Sequence, residues 1–403
     1  MYVIYDTKWF RDLLLNTPLE SVLQLLDQLT FRASAAAIVS FIFVLVLGRP
    51  VIRWLTAQKI GDAGKTDVVA LEAVAGSKRH VPTMGGVLIV GSMVFSTLLL
   101  SNFLNNYVIL GLITLLWMSA LGGVDDWLKL TAATRSGGSR QGLFAWEKLV
   151  GQLGGALLVA FFAYRYGMLP DFVESGHSLS HVLNLPLQKT FVASINESAG
   201  TLSWVVNSGL IYLPIWIFVP LGVLMIAGMS NAVNISDGMD GLAAGTSTAV
   251  SLGLMLLALI AGTQPWANWL LVPYVAGSGE LAVMAGAMGG ACLGFLWFNC
   301  SPASVFMGDT GALGLGGTIG YVAMVTRQEI VVLFMCGVFL LEIGSVILQV
   351  GYFKLSGGKR IFKVAPFHHH LHLSDWREQQ VVVRFWIITL LLVVIGLASI
   401  KVR

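Results

Sequence analysis

Asn231-Ala-Val-Asn234-Ile-Ser-Asp237-Gly-Met-Asp240-Gly241 lies between two of the most apolar segments of the chain, 210–229 and 242–262. Each is long enough to cross a bilayer, which takes about 20 residues of helix. The polar stretch therefore marks a membrane edge. Two amides and two carboxylates recur in it at every third residue. On an α-helix a step of three turns about 300°, so four such positions drift across half the circumference. A tighter turn, which Gly238 and Gly241 permit, would draw them together. A helix end needs one such residue as a cap, not four. Four polar groups beside hydrocarbon are costly without a task, and the stretch is a candidate site.

Composition agrees with the membrane reading. Of 403 residues, 56% are hydrophobic and only 11% charged, against about 25% charged in soluble domains. We expect an all-α integral membrane protein with ten spans: 32–48, 84–101, 107–122, 148–166, 210–229, 242–262, 281–298, 312–326, 330–353 and 383–400. Residues 1–30 form an N-terminal amphipathic segment, with a surface helix from Trp9 to Leu29; 31–403 form a single multi-pass domain. No cleavable signal is expected. Five loops on one face (49–83, 123–148, 230–241, 299–311 and 354–384) carry most of the 24 lysines and arginines. By the positive-inside rule that face is cytoplasmic and both termini are outside. On the outer face, 263–280 with Trp266 and Trp269 suits an interfacial hairpin, while 167–207 offers no chemical constellation. A net charge of +3 is too small to argue for nucleic acid. Cys292, Cys300 and Cys336 have no ligand spacing and read as packed free thiols.

All the chemically interesting motifs fall in those five loops. The first ends in Lys78-Arg-His-Val-Pro82-Thr83-Met84-Gly85-Gly86, a tight turn into a helix whose free N–H groups and flanking cations suit an anion. Ordinary basic flanking of a membrane helix would look similar. The second opens with Gly122-Gly123-Val-Asp125-Asp126-Trp-Leu-Lys129. Adjacent carboxylates at a membrane boundary need a compensating cation, and Mg²⁺ takes carboxylate and phosphate oxygens together. Lys129 stands one turn on, and Arg135, Arg140 and Lys148 follow. The fourth, Asn299-Cys-Ser-Pro302-Ala-Ser-Val-Phe306-Met-Gly308-Asp309-Thr310-Gly311, frames an aspartate between glycines; alone it would read as an N-cap. The fifth holds Pro366-Phe-His368-His369-His370-Leu-His372. Such histidines bind transition metals, but with five aspartates sharing the face they better suit hydrogen bonds to phosphate or proton movement. Carboxylates for Mg²⁺, cations for a diphosphate and apolar walls for a lipid together suit phosphoryl transfer.

With these motifs in this order, the chain from about Arg49 onward resembles the polyprenyl-phosphate N-acetylhexosamine-1-phosphate transferases. Pro-Thr-Met-Gly-Gly at 82–86 and the triple histidine at 368–370 favour the muramoyl-pentapeptide branch, although His80-Val81 stand where the family more often has Gly-Thr. The resemblance implies a ten-helix fold in the bacterial cytoplasmic (inner) membrane. It also implies Mg²⁺-dependent transfer of phospho-MurNAc-pentapeptide from UDP-MurNAc-pentapeptide to undecaprenyl phosphate, releasing UMP, and leaves a homodimer open. Carried over motif by motif, Asp309 matches the magnesium ligand, Asp125 and Asp126 the catalytic pair, and His368 a catalytic histidine. Lys78, Gly238, Met239, Asp240 and Phe306 match a uridine pocket, with Thr83, Asn234, Asp237 and Gly308 as its polar wall. Lys129 and His370 join the substrate side; Gln349, Ala365 and His369 match further nucleotide-side positions. Asn231 and Asn299 match supporting polar positions. A sister transferase for UDP-N-acetylglucosamine would share most of this, and a cation-coupled transporter would use the same aspartates. One-sided clustering of the aspartates and the lack of a clear internal repeat weigh against the transporter.

Overall fold

The computed structural model describes residues 2–14, 20, 23–58, 81–131, 142–168, 178–196 and 201–400. Twelve helices carry the description below. They are α1 (Leu29–Ala57), α2 (Gly86–Leu100), α3 (Asn106–Thr131), α4 (Ala145–Gly167), α5 (Ile215–Ser236) and α6 (Leu242–Gly262). The others are α7 (Leu281–Asn299), α8 (Gly308–Val325), α9 (Glu329–Met335), α10 (Gly337–Leu355), α11 (Phe367–His372) and α12 (Glu378–Ser399). Among the described residues, eight helices are long and apolar enough to cross a membrane: α1, α3 to α7, α10 and α12; α2 is apolar but shorter. The protein is an all-α, multi-pass membrane protein.

The helices overrun several of the expected spans. Helix α3 continues to Thr131, so Asp125, Asp126 and Lys129 ride on helix rather than in a loop. Helix α5 runs to Ser236 and takes Asn231 and Asn234 with it. Helix α8 begins at Gly308, which puts Asp309 in its first turn. Hydropathy marks the thickness of the hydrocarbon, whereas the hydrogen-bond ladder continues into the polar region beyond it. The expected span 330–353 is instead two helices interrupted at Cys336. The expected surface helix from Trp9 to Leu29 is helical at Lys8–Leu14 and a 3₁₀ turn at Gln24–Asp27, ahead of α1 at Leu29. Loop 167–207 contains a hairpin that the sequence reading did not anticipate. Its strands β1 (Phe191–Asn196) and β2 (Thr201–Val206) pair antiparallel, Phe191 opposite Val206. In 263–280, Trp269 lies on a short exposed helix, Gln264–Leu270.

Helix α8 is the hub. Every residue from Thr310 to Val325 is buried, between α3 and α5. Lipid offers apolar helices no hydrophobic drive to associate, so close backbone contact through small residues must hold them together. Gly316 and Gly320, four apart and on one face, meet α5: an added Cβ would lie 2.3 Å from the Met229 carbonyl oxygen and 2.2 Å from that of Met225. A second seam joins α7 to α1, where Cβ atoms at Gly286 and Gly290 would lie 2.3 and 1.9 Å from the carbonyl oxygens of Ala33 and Ala37. At the opposite end of the bundle from the aspartates, buried Arg32 forks onto Glu280 with two 2.7 Å contacts. Glu280 also accepts the Asn102 N–H at 2.8 Å. That node ties α1, α2 and α7 together.

Gly290→Ala should lower the melting temperature of the detergent-solubilised protein markedly, because overpacking a tight crossing costs about 1–3 kcal/mol. Gly154→Ala, on α4 with nothing within 4 Å of the new methyl, should leave it unchanged. Equal melting temperatures for the two variants would contradict the seam.

Candidate active site

The site forms where the ends of α3 and α5 meet the start of α8. Gly122 lets α3 approach: a Cβ there would lie 2.1 Å from the Asp309 carbonyl oxygen. One turn on, the Asp126 carboxylate accepts the N–H groups of Asp309 (3.2 Å) and Thr310 (3.0 Å) and the Thr310 hydroxyl (2.7 Å). A helix N-terminus has unsatisfied N–H groups and partial positive charge, so Asp126 caps α8 from a neighbouring helix. The first and fourth loops are stitched beside it. Phe306 N–H donates to the Pro82 carbonyl, Gly85 N–H to that of Phe306 and Gly86 N–H to that of Met307, each at 2.8 Å. Gly308 takes φ +73, and a Cβ on it would lie 2.8 Å from the Asp126 carboxylate and 3.0 Å from the Thr83 hydroxyl. No other residue fits there without strain.

Asp309 is thus aimed into a knot of charge. Its Oδ1 accepts from the Asn234 amide at 2.7 Å, and its Oδ2 meets Lys129 Nζ at 3.2 Å and, more closely, Lys148 Nζ. The same two lysines meet Asp125 Oδ2 at 2.8 and 3.2 Å, while Asp125 Oδ1 accepts the Leu143 N–H at 2.6 Å. Lys148 is therefore as central as any residue of the motifs, although its sequence neighbourhood showed only a basic loop. Asp237, at the C-cap of α5, faces the same cluster. Its carboxyl is pushed up from 3.8 to about 7, first by burial and then by the charges of Asp309 and Asp126, with the Gly308 N–H opposing.

Among the described residues, no three His, Cys, Asp or Glu side chains form a ready metal cage. Instead four carboxylates (Asp125, Asp126, Asp237 and Asp309) face two ammonium groups, Lys129 and Lys148. That excess of hard oxygen suits Mg²⁺, which binds through one or two carboxylates and completes its shell with water and substrate phosphate.

Residues 108–327 match the Glycosyl transferase family 4 profile. The chain is 42% identical over 388 residues to the phospho-N-acetylmuramoyl-pentapeptide-transferase of Thermodesulfovibrio yellowstonii, covering 95% of this chain and 96% of the relative. It is 42% identical over 383 residues to the Neisseria gonorrhoeae protein of the same name (94% and 96%). The Desulfotalea psychrophila protein of that name is 41% identical over 375 residues (93% and 94%). The chain belongs to the phospho-N-acetylmuramoyl-pentapeptide-transferase family.

Several residues that the family motifs single out hold the site's walls together. Asn231 donates to the Gln152 side chain and the Ala227 carbonyl, both at 2.8 Å. Asn299 spans two loops, accepting from the Gly241 N–H at 3.0 Å and donating to the Val305 carbonyl at 2.8 Å. Asp240 accepts the Ala303 N–H at 3.1 Å, and its own N–H donates to Glu378 on α12, also at 3.1 Å. Met239 is buried in a small apolar cluster with Leu242, Val338 and Phe385. Gln349 on α10 accepts the N–H groups of Ile361 (3.1 Å) and Phe362 (2.9 Å), which shapes the loop leading to Ala365. His370 accepts the Lys363 N–H at 3.2 Å and packs against Phe362 and Phe367. His368 is fully buried, and its ring lies 4.2 Å from that of half-buried His369. Phe306 remains partly exposed at the rim. Lys78 lies outside the described residues.

Asp237 also yields a pH dependence. Its folded-state pKa lies above the unfolded value, so its stabilising contribution is complete below 3.8 and is lost as pH rises through about 7. The melting temperature of metal-free protein should therefore fall between about pH 4 and pH 7 and level off above it, and Asp237→Asn should flatten that fall. An unchanged slope in the variant would contradict this placement of Asp237.

Proposed function

We propose that the protein transfers phospho-MurNAc-pentapeptide from UDP-MurNAc-pentapeptide to undecaprenyl phosphate at the cytoplasmic face of a bacterial inner membrane, with Mg²⁺ as cofactor. The observation that carries this reading is the knot at Asp309, where carboxylates, two lysines and a helix N-terminus converge at the end of membrane helices. It is supported by membership of a family whose members carry that activity in their names.

Asp309 would hold the metal, with Asp237 beside it. Held there, Mg²⁺ would supply positive charge to the diphosphate oxygens. Lys129 and Lys148 bind phosphate oxygens once they leave the carboxylates that hold them. Asp125 orients both lysines. A phosphate monoester loses its second proton near pH 6, so the acceptor arrives largely as its own nucleophile and needs no base. Asp125 thus places cations rather than removing a proton. Asp126, with its oxygens given to the start of α8, keeps Asp309 in position. An acceptor oxygen forms a new bond to the β-phosphorus, the bond from that phosphorus to the UMP oxygen breaks, and the electron pair leaves with UMP. Gly238, Asp240 and Phe306, which match the family's uridine positions, would contact the nucleoside, and Thr83 would line the approach to the phosphates.

Purified protein with undecaprenyl phosphate and Mg²⁺ should release UMP from UDP-MurNAc-pentapeptide and not from UDP-N-acetylglucosamine. Asp309→Ala should lower kcat by about 10²–10³-fold, as losing a preorganised electrostatic group does, without unfolding the protein. Normal turnover by folded Asp309→Ala would remove the metal role. Preference for UDP-N-acetylglucosamine would move the protein to the sister reaction.

A further inference from the structure

Glu342 is the one carboxylate within the apolar segment 337–355. It is fully buried on α10. An ionisable residue at such a position is costly and calls for a partner and a task. Its partner is His368. Glu342 Oε2 lies 2.9 Å from the imidazole Nδ1, and Oε1 accepts the His368 backbone N–H at 3.1 Å. Both side chains have no exposure to solvent. An ionised Glu342 carboxylate can only accept hydrogen bonds, which places the imidazole proton on Nδ1 and leaves Nε2 as the other, proton-free nitrogen. That nitrogen is buried and has no hydrogen-bond partner among the described residues. It is aimed at the turn after Asp237: a Cβ on Gly238 would lie 2.4 Å from Nε2.

Three features thus agree. A buried carboxylate fixes the tautomer and the ring orientation, the opposite nitrogen is unpaired, and the backbone facing that nitrogen is a glycine that leaves it room. An unsatisfied buried polar group costs about 1–3 kcal/mol, a cost that a partner supplied by substrate or water would offset. We propose that Glu342 is a positioning residue for the transfer reaction, holding the His368 ring with Nε2 against the Asp237–Gly238 turn beside the Asp309 cluster. Neutral His368 then offers Nε2 as an acceptor for a substrate or water hydrogen. Carboxylates that orient metal-bound histidines in the same way change affinity or activity by about 10–100-fold, and we take that as the scale here.

This inference rests on the transferase reading above, and the experiment separates the two. Wild-type UMP release is measured first; if there is none, it is that reading that fails. Given turnover, Glu342→Gln is the informative variant. Glutamine keeps the size and can still accept the His368 backbone N–H, but its amide can only donate to Nδ1, which turns the proton to Nε2. We expect kcat to fall about 10–100-fold, with the donor KM within about threefold and the melting temperature unchanged. Glu342→Asp, which retains a carboxylate acceptor, should recover part of the lost kcat. Wild-type turnover by Glu342→Gln, a loss that falls on KM instead of kcat, or activity that declines in step with melting temperature in both variants would overturn the proposal and assign Glu342 to the fold.

Discussion

The contact on which the site depends is that of the Asp126 carboxylate with the first N–H groups of α8. It satisfies a buried helix terminus that would otherwise be costly at a membrane edge. It also fixes where Asp309, whose N–H is among those bound, can point. Because α8 is the hub of the bundle, this one contact ties the reactive end of α3 to the packing of most of the molecule. Asp126 thus works through the architecture, whereas Asp309 and Asp125 face the charges that a substrate would meet.

That arrangement is possible only because glycine stands where backbones touch. Gly122 admits the Asp309 carbonyl, Gly308 turns the chain beneath Asp126 and Thr83, and Gly316 and Gly320 seat α8 on α5. The same seams bring carboxylates close enough to repel, and Lys129 and Lys148 occupy the centre of the cluster as its counter-charges. In the proposed reaction such a site would exchange its own cations for a metal and a diphosphate. Binding can then be strong at the phosphates without a rigid metal cage in the protein alone.

Much of this was legible in the sequence, because each motif couples a glycine or proline with the polar residue that it positions. The order of the motifs carried the family, and their shared face carried the idea of one site. Other features were hidden for physical reasons. Asp125, Asp126, Asn231 and Asn234 were expected in loops, since hydropathy reports hydrocarbon thickness and not the end of a helical ladder. Lys148 looked like one of several loop cations; only the fold brings it to both Asp125 and Asp309. The interruption at Cys336 has no proline to announce it. The paired strands 191–196 and 201–206 lie in short runs rich in β-branched and aromatic residues, a local signal that hydropathy alone passes over. Glu342 was visible as a lone acid in an apolar span, but its partner stood 26 residues away.

The central claim is that Asp309 is where a divalent cation and the donor diphosphate meet. The most direct test is electron spin echo or ENDOR spectroscopy of Mn²⁺ added to the purified protein with UDP-MurNAc-pentapeptide. The account predicts ³¹P hyperfine coupling to the bound metal in the wild type, lost in Asp309→Asn and retained in Asp240→Asn. Coupling that is absent from the wild type, or that persists undiminished in Asp309→Asn, would contradict it.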